Sequence, residues 1–326
     1  NFVFPKDYGK HEEFQTEWWY YTGNLLDSEG RHFGYQLTFF RRGIISNNAI
    51  IRESDWATNQ IYFAHFTITD TENERHYQKE KMARGALDLA GAKSDELFEV
   101  WLYDWRVVQK SEKEFQVVAN TEDFSINLTL NDEKGPILQG DLGLSKKGDQ
   151  PGNASYYFSQ TRLSSNGTIT IGKDVHSVQG YSWMDHEFGS STLGENQIGW
   201  DWFSLQFDND EELMLFQIRQ DDNSISENSS GILVKKDSTT HSIGAKDFTL
   251  RVLDQWKTQD GFIYPIKWSI YIESENLELT LEPMIKQQEN NFFFFFFFFF
   301  FFFFGIKNGQ KVSGYGYVEL TGYAQS

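Results

Sequence analysis

The chain has 326 residues and a formal charge of −18, which disfavours nucleic acid and anionic surfaces, since both are held by Lys and Arg. It contains no cysteine, so disulfides, thiol nucleophiles and thiolate metal sites are excluded. No run of about 18 varied apolar residues marks a membrane-spanning helix.

Residues 1–15 are polar, with Pro5, Gly9 and a charged run at 10–13, and read as an extended lead-in. Residues 17–25 and 33–40 read as strands around a turn at 27–30, a hairpin. The next strand, 61–69, alternates Tyr62, Ala64, Phe66 and Ile68 on one face with Phe63, His65, Thr67 and Thr69 on the other. The charged stretch 72–91 admits a short helix. Strands resume at 97–108, 114–118 and 124–130, followed by a Gly-, Asp- and Lys-rich loop over 131–152 with at most one short strand. Segments 155–163, 167–171 and 175–183 follow at the spacing of a meander barrel or sandwich. Segments 231–235, 248–253, 266–272, 277–281 and 315–322 continue the pattern. No segment sustains a 3.6-residue period, so the expected class is all-β.

Phe292 to Phe304 is an unbroken run of phenylalanine. As a helix it would span only about 20 Å, too short to cross a bilayer. As a strand it would present Phe on both faces, and it reads as a placeholder rather than a functional motif. An internal repeat predicts two similar halves. A shift of 181 lays Trp19, Tyr21, Asp27, Tyr35, Gln36 and Leu37 on Trp200, Trp202, Asp208, Phe216, Gln217 and Ile218. The expected division is residues 1–187 and 188–326.

Chemistry concentrates in 180–207, where Asp185, His186 and Glu187 stand together among Trp183, Trp200 and Trp202. Charge among aromatics is costly, so the cluster is either solvated at a rim or kept for acid–base work. An inward-facing Asp185 would have its pKa raised and stay protonated near neutrality, able to protonate an alkene beside carbocation-stabilising aromatic faces. His186 and Glu187 alternate in direction, so one of them faces away from Asp185. Trp18 and Trp19 point to opposite faces, while Trp200 and Trp202 share one. These tryptophans read either as packing or as the wall of a cavity for an apolar ligand. Glu17 reads as a rim residue and His65 as a structural histidine. His65, Asp185, His186 and Glu187 have metal-binding atoms, but their spacing matches no ligand motif, so no metal is expected. Phosphate loops, dinucleotide fingerprints and the G-x-S-x-G elbow are absent. Ser190 and Ser191 near His186 leave hydrolysis formally open.

Six segments, FPKDYGKHEEFQTEWWYYTGNL (4–25), GYQLTFFRR (34–42), YFAHFTITD (62–70), YSWMDHEFGSSTL (181–193), QIGWDWFSLQF (197–207) and GYGYVELTGY (314–323), carry a family resemblance. Together they resemble the carotenoid 1,2-hydratase (hydroxyneurosporene synthase) and AttH-like family, whose bacterial members are often labelled predicted secreted hydrolases. The resemblance implies two tandem lipocalin-like (calycin) β-barrel domains. It also implies cofactor-independent addition of water to an isoprenoid or polyene double bond, with cyclisation in related proteins. The acid would be Asp185, with His186 or Tyr181 orienting it or the water. Trp18, Trp19, His65, Trp183, Trp200 and Trp202 would line the substrate. The motif Trp183-Met-Asp-His-Glu-Phe-Gly is closer to the AttH-like branch, and the Phe run stands where the family usually shows Tyr-Trp-Glu-Gly. A non-catalytic carrier for a lipophilic molecule, in one form serving an export system, is the competing expectation. Either function implies a hydrophobic small-molecule partner and leaves peripheral membrane contact open. The start at Asn1 and the resemblance to secreted members set the expectation of a periplasmic or secreted protein.

Overall fold

The computed structural model describes residues 1–44, 58–190, 193–288 and 297–323. The chain divides near residue 192 into two compact units, with 73–76 and 146–153 grouped with the second. Each unit is built on one antiparallel sheet, and together they form two tandem lipocalin-like barrel domains, one nearly closed and one a half-barrel.

The first sheet contains β1 (Thr16–Asp27), β2 (His32–Gly43), β3 (Gln60–Asp70), β4 (Arg75–Arg84), β5 (Ala90–Lys93), β6 (Glu99–Leu102) and β7 (Trp105–Gln109). It continues with β8 (Glu114–Asn120), β9 (Phe124–Asp132), β10 (Ile137–Leu138), β11 (Leu144–Lys146), β12 (Ala154–Ile171) and β13 (Asp174–Gly189). The strand order is β4-β3-β2-β1-β13-β12-β9-β8-β7-β6-β5, with β10 and β11 also on β12. The last strand thus returns between β1 and β12, and the seam lies between β4 and β5. The second sheet repeats this plan with β14 (Gln197–Phe207), β15 (Glu212–Gln220), β16 (Ser230–Val234), β17 (Thr240–Gly244), β18 (Phe248–Lys257), β19 (Ile263–Ile272), β20 (Leu277–Pro283), β21 (Phe297–Lys307) and β22 (Gln310–Leu320). Its order is β17-β16-β15-β14-β22-β21-β20-β19-β18.

Alternation decides which residues enter each core. In the first unit Trp19, Tyr21 and Leu25 of β1 meet Phe33, Tyr35, Leu37 and Phe39 of β2 and Met184 of β13. The N-terminal lead-in packs on this core through Phe2, Phe4 and Tyr8, and the Trp19 indole donates to the Tyr8 carbonyl at 2.8 Å. In the second unit Phe203, Leu205 and Phe207 face Trp268, Ile270 and Ile272. Phe297, Phe299, Phe301 and Phe303 enter that core, while Phe298 and Phe300 lie against Tyr317 on the other face, with ring centroids 5.5 and 4.9 Å away. The rest of the Phe run, 292–296, lies outside the described residues.

The structure departs from the sequence reading in several places. The stretch that admitted a helix forms β4, whose Lys and Arg side chains suit a strand at the end of the sheet. Residues 131–152 hold two short strands, β10 and β11, and β17 was not foreseen because THSIG has little apolar content. Segments 155–163 and 167–171 are one strand, β12, bulged between Gln160 and Leu163. The repeat is real in topology but its shift is 180. The first turn closes with Asp27 N–H on Arg31 O, the second with Phe207 N–H on Glu211 O. An odd shift would exchange the faces of every strand. Trp19 and Tyr21 therefore have Gly199 and Asp201 as counterparts, and Trp200 and Trp202 correspond to Tyr20 and Thr22.

Candidate functional site

Part of the outer face of the first sheet, across β3, β2, β1, β13 and β12, is largely buried too, and it carries polar as well as aromatic side chains. Register places His65 of β3, Thr38 of β2, Tyr20 of β1, Asp185 of β13 and Ser159 of β12 in one cross-strand row. The flanking row on one side is Phe63, Phe40, Trp18, Glu187 and Tyr157. On the other side stand Thr67, Gln36, Thr22 and Trp183. None of these side chains belongs to the barrel core, yet Asp185 is only 4% exposed and Thr38, Gln36, His65, Trp183 and Ser159 are also buried.

Asp185 is held by donors. Trp183 Nε1–H donates to its Oδ1 at 2.9 Å, and the Ser159 hydroxyl donates to the same oxygen. Ser159 is itself oriented by Gln139, whose Nε2–H donates to Ser159 Oγ at 2.9 Å. Tyr157 also hydrogen-bonds the carboxyl. Burial raises the pKa of Asp185, the donors oppose it, nearby Glu187 adds to it, and the outcome is about 7. Loss of one donor must push the pKa further up, because that donor favours the ionised form. Ser159→Ala is expected to raise the Asp185 pKa above its wild-type value, readable as a titration of the Asp carboxyl carbon by NMR. An unchanged titration would remove Ser159 from the site.

His186 lies on the opposite face of β13, inside the first barrel. Its ring stacks on Trp19 with centroids 5.0 Å apart, and its Nε2 meets Glu17 Oε1 at 2.9 Å. Glu17 is fully buried rather than at a rim, and it is a hub. It accepts from His11 Nδ1 at 2.8 Å and from Arg41 Nε at 2.7 Å, while Arg41 also reaches Gln60, the His11 carbonyl and the Phe14 carbonyl. Burial pushes Glu17 up, but hydrogen bonds from His11 and His186 and the charge of Arg41 outweigh it, and the pKa falls to about 2. Burial also lowers His186, which stays neutral and donates to the carboxylate. Metal-binding atoms of His11, Glu17 and His186 lie within 4.8 Å of one another. A cation there would have to compete with the Arg41 guanidinium for Glu17, so the cluster reads as an ion-pair hub fastening the N-terminal segment to the barrel.

The remaining predicted residues are scattered. Trp183 touches Asp185, Trp18 stands one row from it, and His65 shares its row, kept neutral by burial at a pKa of about 3. Trp19 is a core residue. Tyr181 is on Asp185's face but four residues along β13, 39% exposed and under the Arg162 guanidinium at 4.6 Å. Trp200 and Trp202 belong to the second unit, on the face of β14 turned from its core, where Trp200 Nε1–H donates to Glu319 at 2.9 Å. Sequence reasoning missed Ser159, Tyr157, Gln139, Tyr20, Gln36 and Thr38. Ordinary polar residues in strands become visible only once the register is known.

Two tandem lipocalin-like barrels, the first with a buried carboxylic acid on its outer face, define the class of protein. The chain belongs to the AttH-like family, whose model matches residues 1–323. Among solved structures it is similar to an AttH-like protein from Nitrosomonas europaea, with 29% identity, a TM-score of 0.87 and coverage of 99% of this chain and 97% of that one. It is similar in fold to kievitone hydratase from Nectria haematococca, with 14% identity, a TM-score of 0.75 and coverage of 99% and 94%. CghA with Sch210972 shares the fold at 12% identity and a TM-score of 0.57, covering 94% of this chain and 88% of that one. No curated protein matches the chain in sequence.

Proposed function

We propose that Asp185 is the general acid of a hydratase or cyclase acting on a hydrophobic isoprenoid- or polyene-type molecule. The observation that carries this is a buried carboxyl with a pKa of about 7, held by Trp183, Ser159 and Tyr157 on a face rich in aromatic rings. The Asp185 carboxyl proton passes to one carbon of a double bond, and the cation formed at the other carbon meets the negative faces of neighbouring rings. In hydration a water oxygen adds to the cation and the surplus water proton returns to the Asp185 carboxylate. In cyclisation a second double bond adds instead, and the proton returns from the carbon beside the new cation. Either cycle restores the acid and needs no cofactor. Family membership and the likeness in fold to kievitone hydratase support the reading.

Incubating the purified protein with a bacterial lipid extract, followed by mass spectrometry, tests it. A product heavier by one water is expected for hydration, or an isomer of unchanged mass for cyclisation, formed by wild type and not by Asp185→Asn. A lipid bound by both proteins and recovered unchanged would replace the enzyme with a carrier. We further infer that this work is done in the periplasm or outside the cell, a reading that the resemblance to secreted members supports. Finding the native protein confined to a cytoplasmic fraction would sink that part.

A further inference from the structure

Gln36 carries an amide that the fold leaves half satisfied. It sits on the outer face of β2, fully buried, in register with Thr22 of β1 and Thr67 of β3. Its Nε2–H donates to Thr38 Oγ1 at 2.6 Å, while its Oε1 meets no donor among the described residues. Turning the amide over would only move the shortfall to an N–H without an acceptor. Buried amides are almost always paired, and an apolar side chain here would avoid the cost. The hydroxyls of Thr22, Thr38 and Thr67 make the surroundings polar as well. A pure hydrocarbon laid across this face would leave the amide unpaired, whereas a hydroxyl, which both donates and accepts, meets it in either orientation.

The distance to the acid follows from the register. Thr38 and Asp185 share a row with β1 between them, and Gln36 stands one row along β2, so Gln36 and Asp185 lie about 12 Å apart on the sheet, two strand spacings across and one two-residue step along. We propose that the substrate is an apolar alkene bearing a hydroxyl about 12 Å from the double bond, two strand spacings and one row away, and that Gln36, braced by Thr38, binds that hydroxyl. This rests on the reading of Asp185 as the acid. Gln36 is then a specificity residue, touching the substrate far from the reacting carbons.

Farnesol and farnesene are suitable probes. They share a carbon count, and only the alcohol carries a hydroxyl, with double bonds on either side of the required distance. Titration calorimetry on the full chain should show farnesol binding at least about tenfold tighter than farnesene. Gln36→Leu and the milder Gln36→Met should shrink that gap to less than about threefold, with farnesene binding unchanged, whereas Asp185→Asn should preserve it. Equal wild-type affinities, no binding of either probe, or a gap that survives in a Gln36 variant would overturn the proposal. The wild-type comparison decides by itself if a Gln36 variant does not fold. A wild type that prefers the alcohol yet converts neither probe would sink the reading of Asp185 and leave Gln36 as a hydroxyl-binding residue.

Discussion

Replacing Asp185 with Asn should lower turnover by about 10²–10⁴ while leaving ligand affinity within a factor of about two. Asn keeps the shape of the side chain and can still meet Ser159 and Trp183, but it has no transferable proton. The pH profile of the wild type carries the same information. Asp185 has its pKa raised from 3.8 to about 7, so the acid form persists through the acidic and neutral range. The rate should be level below pH about 7 and fall tenfold per unit above it, as the proton donor is lost. Ser159→Ala should move that falling limb to higher pH. A wild-type rate in Asp185→Asn, or a limb that rises with pH, would remove the residue from the chemistry.

The second large effect concerns stability. Arg41→Met should destabilise the first unit by about 3–5 kcal/mol, because it strands the buried Glu17 carboxylate without its cation. For a unit of this size the loss corresponds to a fall in melting temperature of roughly 10 °C, readable by thermal unfolding of the full chain. Adding Glu17→Gln to that variant should recover part of the loss, since no buried charge then remains unpaired. A single variant that melts with the wild type would show the hub to be dispensable. The hub also sets an acid limit. The pKa of Glu17 falls from 4.5 to about 2 on folding, so its stabilisation is fully present above pH about 4.5 and lost as pH drops toward about 2. That contribution is on the order of 3 kcal/mol. Asp185 acts with the opposite sign. Its pKa is raised, so folding is favoured below pH about 4 and loses that support as pH rises through about 7.

Period-two alternation, aromatic and β-branched content and the absence of a helical period were enough to read an all-β chain. The segments around EWWYYTGNL and YSWMDHEFG were enough to point to the family. Asp185 stood out because a carboxyl among tryptophans is costly whatever the fold. Its neighbours in sequence misled for a simple reason. Consecutive residues of a strand face opposite ways, so His186, adjacent to Asp185, belongs to a different site, inside the barrel.

What assembled each site was pairing between distant segments. Ser159 reaches Asp185 across 26 residues of chain, and Glu17 reaches His186 across 169. The repeat shows the same limit. Six matching residues at a shift of 181 looked persuasive, yet the hairpin turns align at 180, and one residue exchanges core for surface. Composition and spacing by themselves determined which elements form and which groups are too costly to be idle. Only the tertiary structure decided which face each group occupies and which partner it meets, because register is set by the packing of whole strands and leaves no local mark on the residues it brings together.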